Sequence, residues 1–247
     1  MWDRPRELNA AAMVLAAIAA LMLAYGALSW VARRPAFEFR EIVIQPPLSR
    51  VNAAHLEALI RDELKGTFFT MNLDRARVAI TGEPWVRRAS LRRQWPHRLE
   101  VTIEEHVPLA RWNDAGLVNV QGEVFDARYV EPLPRFSGPE GSALELTRRY
   151  QDWGIAIAPL KLTIDEVRAS ARGGWHLRLI APTGPLDVEL GRDDPSAAVA
   201  RFTDTYERTL GVLARSGTRV EQVDLRYRNG FAARVPAFRE RPPKKTA

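Results

Sequence analysis

Residues 8–32 carry no charged side chain and are dense in Ala, Leu, Met, Ile and Val. A helix needs about 20 such residues to cross a bilayer, and a buried helix of a soluble domain rarely stays apolar on every face for so long. The run is therefore expected to be a transmembrane helix, with every folded domain lying to one side of it. Tyr25 and Trp30 stand near its far end, where amphipathic rings favour the membrane interface, and Arg33 and Arg34 stop it. A cleaved signal peptide is the competing reading, since Ala27 and Ser29 form a small-x-small pair. The apolar stretch, however, is longer than a usual h-region and continues past that pair. Charge alone does not orient the span, because Arg4 and Arg6 before it match Arg33 and Arg34 after it in number. A tail of residues 1–7 is easily left in the cytoplasm, whereas a long C-terminal domain translocates largely regardless of charge. Residues from about 35 onward are thus expected outside the inner membrane.

The rest of the 247-residue chain has ordinary apolar content, 46%, enough for one or two modest cores. The absence of Cys removes disulfides, thiol catalysis and thiolate metal sites together. A net charge of +6, carried mainly by Arg, favours acidic partners or anionic lipid without identifying either, and an Arg-rich solvated surface is the blander account.

Residues 37–107 read as strand, helix, helix, strand, strand. Residues 37–44 are rich in aromatic and β-branched side chains and are closed by Pro46 and Pro47. Asn52 is a plausible N-cap for a helix carrying Leu56, Leu59, Ile60 and Leu64 at helical spacing, with Gly66 at its end. Asn72 can cap a second helix through Leu73, Ala76 and Ile80, stopped by Gly82 and Pro84. Residues 86–93 and 99–105 complete the set, with Trp95 and Pro96 in the turn between them. Leu99, Val101 and Ile103 alternate with Glu100, Thr102 and Glu104. The expected product is a small α+β unit with two helices on one face of a three-stranded sheet.

Residues 108–235 read as a mostly antiparallel β domain with two helical patches. Residues 117–120 and 123–125 flank Gly122 as a hairpin, and 160–164, 175–180 and 186–190 are further strand candidates. The helical patches are 141–153 and 195–215, the second with Pro195 near its start and Gly217 past its end. Val223, Leu225 and Tyr227 alternate with polar neighbours before Asn229-Gly230, a strong hairpin signal, and 231–235 is expected as the last strand. Residues 236–247 read as a flexible basic tail.

Catalysis needs a convergent nucleophile, base and orienting group, or a cluster of metal ligands. His55, His97, His106 and His176 are scattered, with no pair at the i, i+4 spacing of a helical zinc site. Glu104-Glu105-His106 is suggestive, yet neighbours on a strand face opposite ways. Ser137 and Ser142 lack a G-x-S-x-G setting. Trp85, Trp95 and Trp112 are expected in cores or at junctions. The chain is read as non-enzymatic, without cofactor or metal, and with neither nucleic acid nor a small molecule as ligand.

The order of short tail, one span, a small β-α-α-β-β unit and a β domain resembles the bacterial cell-division family FtsQ/DivIB, whose first exported unit is of the POTRA type. Local markers agree. They are Phe68-Phe69 then Asn72-Leu73, Pro84-Trp85-Val86, Trp95-Pro96, Pro108-Leu109-Ala110-Arg111-Trp112, and Val223-Asp224-Leu225-Arg226-Tyr227. POTRA proteins of outer-membrane assembly instead carry repeated units and a long membrane barrel, for which there is no room here.

The resemblance implies a single-pass inner-membrane scaffold at the division septum that binds FtsB and FtsL through its β domain. The POTRA-like part would meet other division proteins. It further implies that the FtsB segment pairs along the last strand, which includes Phe231, Ala232 and Ala233. Arg226 and Tyr227 occupy the family's Arg-Tyr pair, and Arg172 falls at its other partner-binding Arg. Asn229, Gly230 and Phe231 match contact positions, although the turn here reads Arg228-Asn229-Gly230 where relatives often have Asp-Ser-Gly. On pattern alone, Tyr227 and Phe231 could be core residues of an ordinary hairpin. The other function considered is a periplasmic POTRA-type chaperone or outer-membrane assembly factor that uses a sheet edge to handle client strands.

Overall fold

The computed structural model describes residues 5–63, 67–114, 116–227 and 230–238. The expected helix end at Gly66 and the greater part of the basic tail, residues 239–247, lie outside them, as do residues 1–4 of the expected N-terminal tail. The chain divides into two compact units, Met1–Glu105 and His106–Ala247.

The first unit begins with α1, Pro5–Ala32, whose Asn9–Ala32 stretch is long and apolar enough to cross a membrane and is not buried against the rest of the protein. The elements β1 (Glu41–Gln45), α2 (Ala53–Glu63), α3 (Leu73–Thr81), β2 (Val86–Gln94) and β3 (Arg98–Glu105) follow. Side-chain amides start both shorter helices. Asn52 Oδ1 accepts from the Ala54 N–H at 3.0 Å and Asn72 Oδ1 from the Asp74 N–H at 3.0 Å, satisfying donors a helix start leaves open.

The sheet order is β1-β3-β2, with β1 parallel and β2 antiparallel to β3, because two helices intervene between β1 and β2 while a tight turn joins β2 to β3. Leu99, Val101 and Ile103 of the central strand are buried against Leu56, Ile60, Ala76 and Ile80 of the helices. One expectation needs correction. Residues 35–37 form a 3-10 turn, so the first strand starts at Glu41 instead of Phe37. Trp95 lies in the turn between β2 and β3 and is 63% exposed, at that junction and outside the core.

The second unit is built on β4 (Pro108–Trp112), β5 (Gly116–Asn119), β6 (Val124–Phe125), β7 (Arg135–Ser137), α4 (Ala143–Ile157), β8 (Thr163–Ala169), β9 (Trp175–Ala181), β10 (Gly184–Gly191), α5 (Pro195–Tyr206), α6 (Leu210–Arg215), β11 (Gln222–Asp224) and β12 (Ala232–Arg234). One nine-stranded sheet runs β12-β11-β10-β9-β8-β7-β4-β5-β6. Its pairs are antiparallel except β4–β7, β7–β8 and β10–β11. Trp153 of α4 and Phe202 of α5 are buried in its core with Phe136, Leu177, Leu179 and Val223.

The first helical patch begins at Ala143, not Gly141, and continues past Trp153 to Ile157. The second is two helices, not one. Thr205 and Thr209 turn their hydroxyls onto the carbonyls of Arg201 and Thr205, both at 2.7 Å, and i,i+3 backbone bonds from Arg208 and Thr209 tighten the chain. This back-bonding competes with the helical ladder and breaks it at residues 207–209. The strands β4 and β7, of five and three residues, carry too little pattern to be read beforehand.

A candidate partner-binding edge

The route of the chain after α6 makes the edge. Residues 192–221 carry it over α5 and α6, so β11 returns parallel to β10, with Val223 and Leu225 buried in the core. The Leu225 N–H still donates to the Glu189 carbonyl of β10 at 2.9 Å, but beyond it the strand stops, because the Asp224 side chain takes the Arg226 N–H at 3.0 Å in a local turn. The expected strand through Tyr227 with a two-residue Asn229-Gly230 hairpin is therefore corrected. Asp224 pairs with Ala232, which leaves residues 225–231 as a wider connection. Asn229 itself lies outside the described residues.

The outermost strand is β12, with Ala232, Ala233 and Arg234 all exposed. The Glu221 N–H donates to the Arg234 carbonyl at 3.0 Å, so the polar groups of Arg234 point inward to β11. Peptide groups alternate along a strand, and the N–H and C=O of Ala233 accordingly point outward, where no strand pairs with them among the described residues. Phe231 and Val235, two residues to either side, pack on the core and hold the strand down. Phe231 thus belongs partly to the domain core, as an ordinary hairpin would have it. Tyr227 does not, being 59% exposed. Gly230 is exposed in the connection.

Arg172 and Arg226, 54 positions apart, line one cleft of about 670 Å³. Arg172 sits at the tip of the β8–β9 hairpin, shaped by the Ser170 N–H on Gly174 O at 2.8 Å, and makes no side-chain hydrogen bond or ion pair among the described residues. Arg226 is already engaged. Its Nε and Nη2 reach both carboxylate oxygens of Asp224 at 2.6–3.1 Å. These bonds hold the Asp224 carboxyl below the usual range and raise the already high basicity of the guanidinium. Gly191, at φ +80°, ends β10 beside this arginine. A Cβ there would stand 3.0 Å from Arg226 Cγ.

The cleft contains two further arginines that the sequence reading missed, Arg192 after β10 and Arg201 on α5, together with Glu189, Asp193 and Asp194. Asp194 caps α5, accepting from the Ala197 N–H at 2.9 Å. Arg201 lies seven residues further on, two helical turns along the same side, and that spacing was the available signal. The cleft can neutralise acidic side chains of a bound segment. The suggestive Glu104-Glu105-His106 run is dispersed into separate contacts. Glu104 pairs with Arg87, Glu105 binds the backbone of residues 49–51, and His106 Nδ1 lies 2.9 Å from the Asn119 amide.

Comparison with known proteins gives consistent results. Residues 37–106 match the family described as POTRA domain, FtsQ-type, and residues 110–226 match Cell division protein FtsQ/DivIB, C-terminal. The chain is 43% identical to the cell division protein FtsQ of Burkholderia pseudomallei, covering 97% of this chain and 96% of that one. It is 37% identical to FtsQ of Nitrosospira multiformis over 95% and 99% of the two chains. With FtsQ of Escherichia coli it is 35% identical, over 68% of this chain and 61% of that protein.

Proposed function

The chain belongs to the FtsQ/DivIB family of cell-division proteins, and from that premise we propose that it is a non-enzymatic scaffold which binds FtsB and FtsL through β12. In this reading α1 anchors the protein in the inner membrane with the N-terminus in the cytoplasm, and both folded units stand in the periplasm at the septum. The first unit, taken as residues 37–107, contacts other division proteins, and residues 108–235 carry the edge.

The observation that carries the proposal is the outward-facing peptide group of Ala233 on the edge strand of the sheet, together with an arginine-lined cleft that Leu225 and Arg226, in the connection leading to that strand, help to line. An incoming extended segment gains backbone hydrogen bonds along such an edge, and arginines next to it select acidic positions. Arg172, without a side-chain partner among the described residues, is the first contact. Arg226 holds Asp224 through two of its nitrogens and has N–H groups left for a second acceptor.

Calorimetry against a purified FtsB–FtsL complex tests this. A desolvated charge-assisted contact contributes about 1.5–3 kcal/mol, so Arg172→Glu should weaken binding at least about tenfold with the fold intact. Ala233→Pro should also weaken it, because it removes an outward donor and spares the inward ones. Arg226→Glu is a poorer probe, since it would set two carboxylates against each other at Asp224. Near wild-type affinity in both Arg172→Glu and Ala233→Pro would sink the site. Capture of outer-membrane barrel clients in place of the FtsB–FtsL complex would favour the chaperone reading.

A further inference from the structure

The first unit carries a second apolar feature at the margin of its core, joined to it through Phe39, whose ring lies 5.9 Å from that of Phe68. Phe37, Phe68, Phe69 and Trp95 form one aromatic cluster. Ring centroids lie 5.3 Å apart for Phe37–Phe69 and for Phe68–Phe69, and 5.8 Å apart for Phe68–Trp95. Phe69 is 54% and Trp95 63% exposed, so the cluster presents large rings to its surroundings instead of burying them.

Its position is fixed relative to the end of α1. The Thr67 hydroxyl donates to the carbonyl of Ala32, the last residue of the helix, at 2.5 Å, and the Phe68 N–H donates to Phe37 O at 2.7 Å. Phe37 is only five residues past Ala32, which limits its distance from the helix end to about 18 Å however the chain bends. The Asn9–Ala32 stretch is about 36 Å long as a helix, slightly more than a hydrocarbon core of about 30 Å. Its final turns, with Trp30 under the Arg34 guanidinium at 3.4 Å, therefore reach the headgroup layer. The cluster cannot be far from that layer.

The charge around it suits phospholipid. Arg33, Arg34 and Arg40 are exposed, while Glu41 is taken by Arg98 at 2.9 Å, which leaves Glu38 as the nearby carboxylate without an ion pair among the described residues. Rings with a polar or cationic rim are the composition that settles at a membrane–water interface.

We propose that Phe37, Phe68, Phe69 and Trp95 form a lipid-contact surface that seats the first folded unit in the headgroup layer at the C-terminal end of α1. This rests on α1 spanning the membrane. The surface would hold the unit against the bilayer and restrict the directions in which the rest of the chain can reach.

The lack of native cysteine makes site-specific labelling clean. Nitroxide would be attached to single cysteines made by Phe69→Cys and Trp95→Cys, and to Val78→Cys, which is on an exposed face of α3, and Met22→Cys inside the span. The full chain would be placed one copy per nanodisc of phosphatidylethanolamine and phosphatidylglycerol. Collision with oxygen and with a water-soluble nickel complex then reports depth. The expected result is loss of nickel collision and gain of oxygen collision at positions 69 and 95 relative to 78. Equal accessibility at 69, 95 and 78, whether high or low, overturns the proposal. A label at 22 that stays lipid-buried shows that the span survives that failure, whereas nickel access at 22 would sink the span and this surface together. Protection at 69 and 95 that arises only when several copies share a disc, or only on adding another protein, would overturn the lipid assignment in favour of a protein contact.

Discussion

Glu105, at the end of β3, offers a worked test of what holds the first unit together. Its carboxylate accepts from the Ser49 N–H at 3.0 Å, the Ser49 hydroxyl at 2.7 Å, and the Arg50 and Val51 N–H groups at 2.8 Å each. It thereby ties the loop before α2 to a strand 54–56 positions away. Burial acts to raise its pKa, but the bonds from Ser49, Arg50 and Val51 together outweigh that and hold it below the ordinary glutamate range. In Glu105→Gln one oxygen can still accept, while the new amide meets the Ser49 N–H donor to donor. Hydrogen bonds to a charged group contribute about 1.5–3 kcal/mol each when desolvated, but this site is partly open to solvent and screened. A total loss of about 1–2 kcal/mol follows, or roughly 4–16 °C in the melting temperature of a unit of this size. Calorimetry of residues 35–247 at a series of pH values measures it. Because the folded-state pKa is depressed, the stabilisation is fully present above the unfolded value of about 4.3 and is lost as pH falls through the lower folded value. The gap between wild type and variant should therefore close below about pH 4. Identical melting at pH 7, or a gap undiminished at pH 3, would refute the reasoning.

Three other outcomes are expected. An alkaline-phosphatase reporter fused after Val235 should be active and a cytoplasm-restricted fluorescent reporter at the same point silent, and the reverse pattern would overturn the orientation. Residues 37–107 expressed without the span should give dispersed amide NMR signals, since their buried residues form a cluster of their own. Collapsed signals under conditions where residues 35–247 fold would count against that independence. Gly122→Ala should destabilise the second unit by about 1–3 kcal/mol or more in thermal unfolding, because φ is +83° and a Cβ would stand 2.7 Å from Leu144 Cα. An unchanged melting temperature would mean that the β5–β6 turn adjusts freely.

Sequence alone determined the features whose causes are local. The apolar run of α1, the capping amides Asn52 and Asn72, and the alternation of Leu99, Val101 and Ile103 each act within a few residues, so their outcome could be read without knowing what packs beside them. The family markers extended that reading to the order of the two units. Tertiary structure decided what depends on distant partners. The strand at Val223 ends at Asp224, three residues short of Tyr227, and the two-residue hairpin becomes a wide connection because Ala232, eight positions on, is the residue that pairs with Asp224. Arg172, Arg192, Arg201 and Arg226 share a cleft only because a crossover through α5 and α6 lays β11 parallel to β10. Local patterns state which face of an element is apolar, but not which element will cover it. Hydrogen bonds across strands and packing between helices make that choice, and here they leave a bare peptide edge at β12 and gather four arginines from four parts of the chain into a cleft that Leu225 and Arg226, in the connection to that strand, help to line.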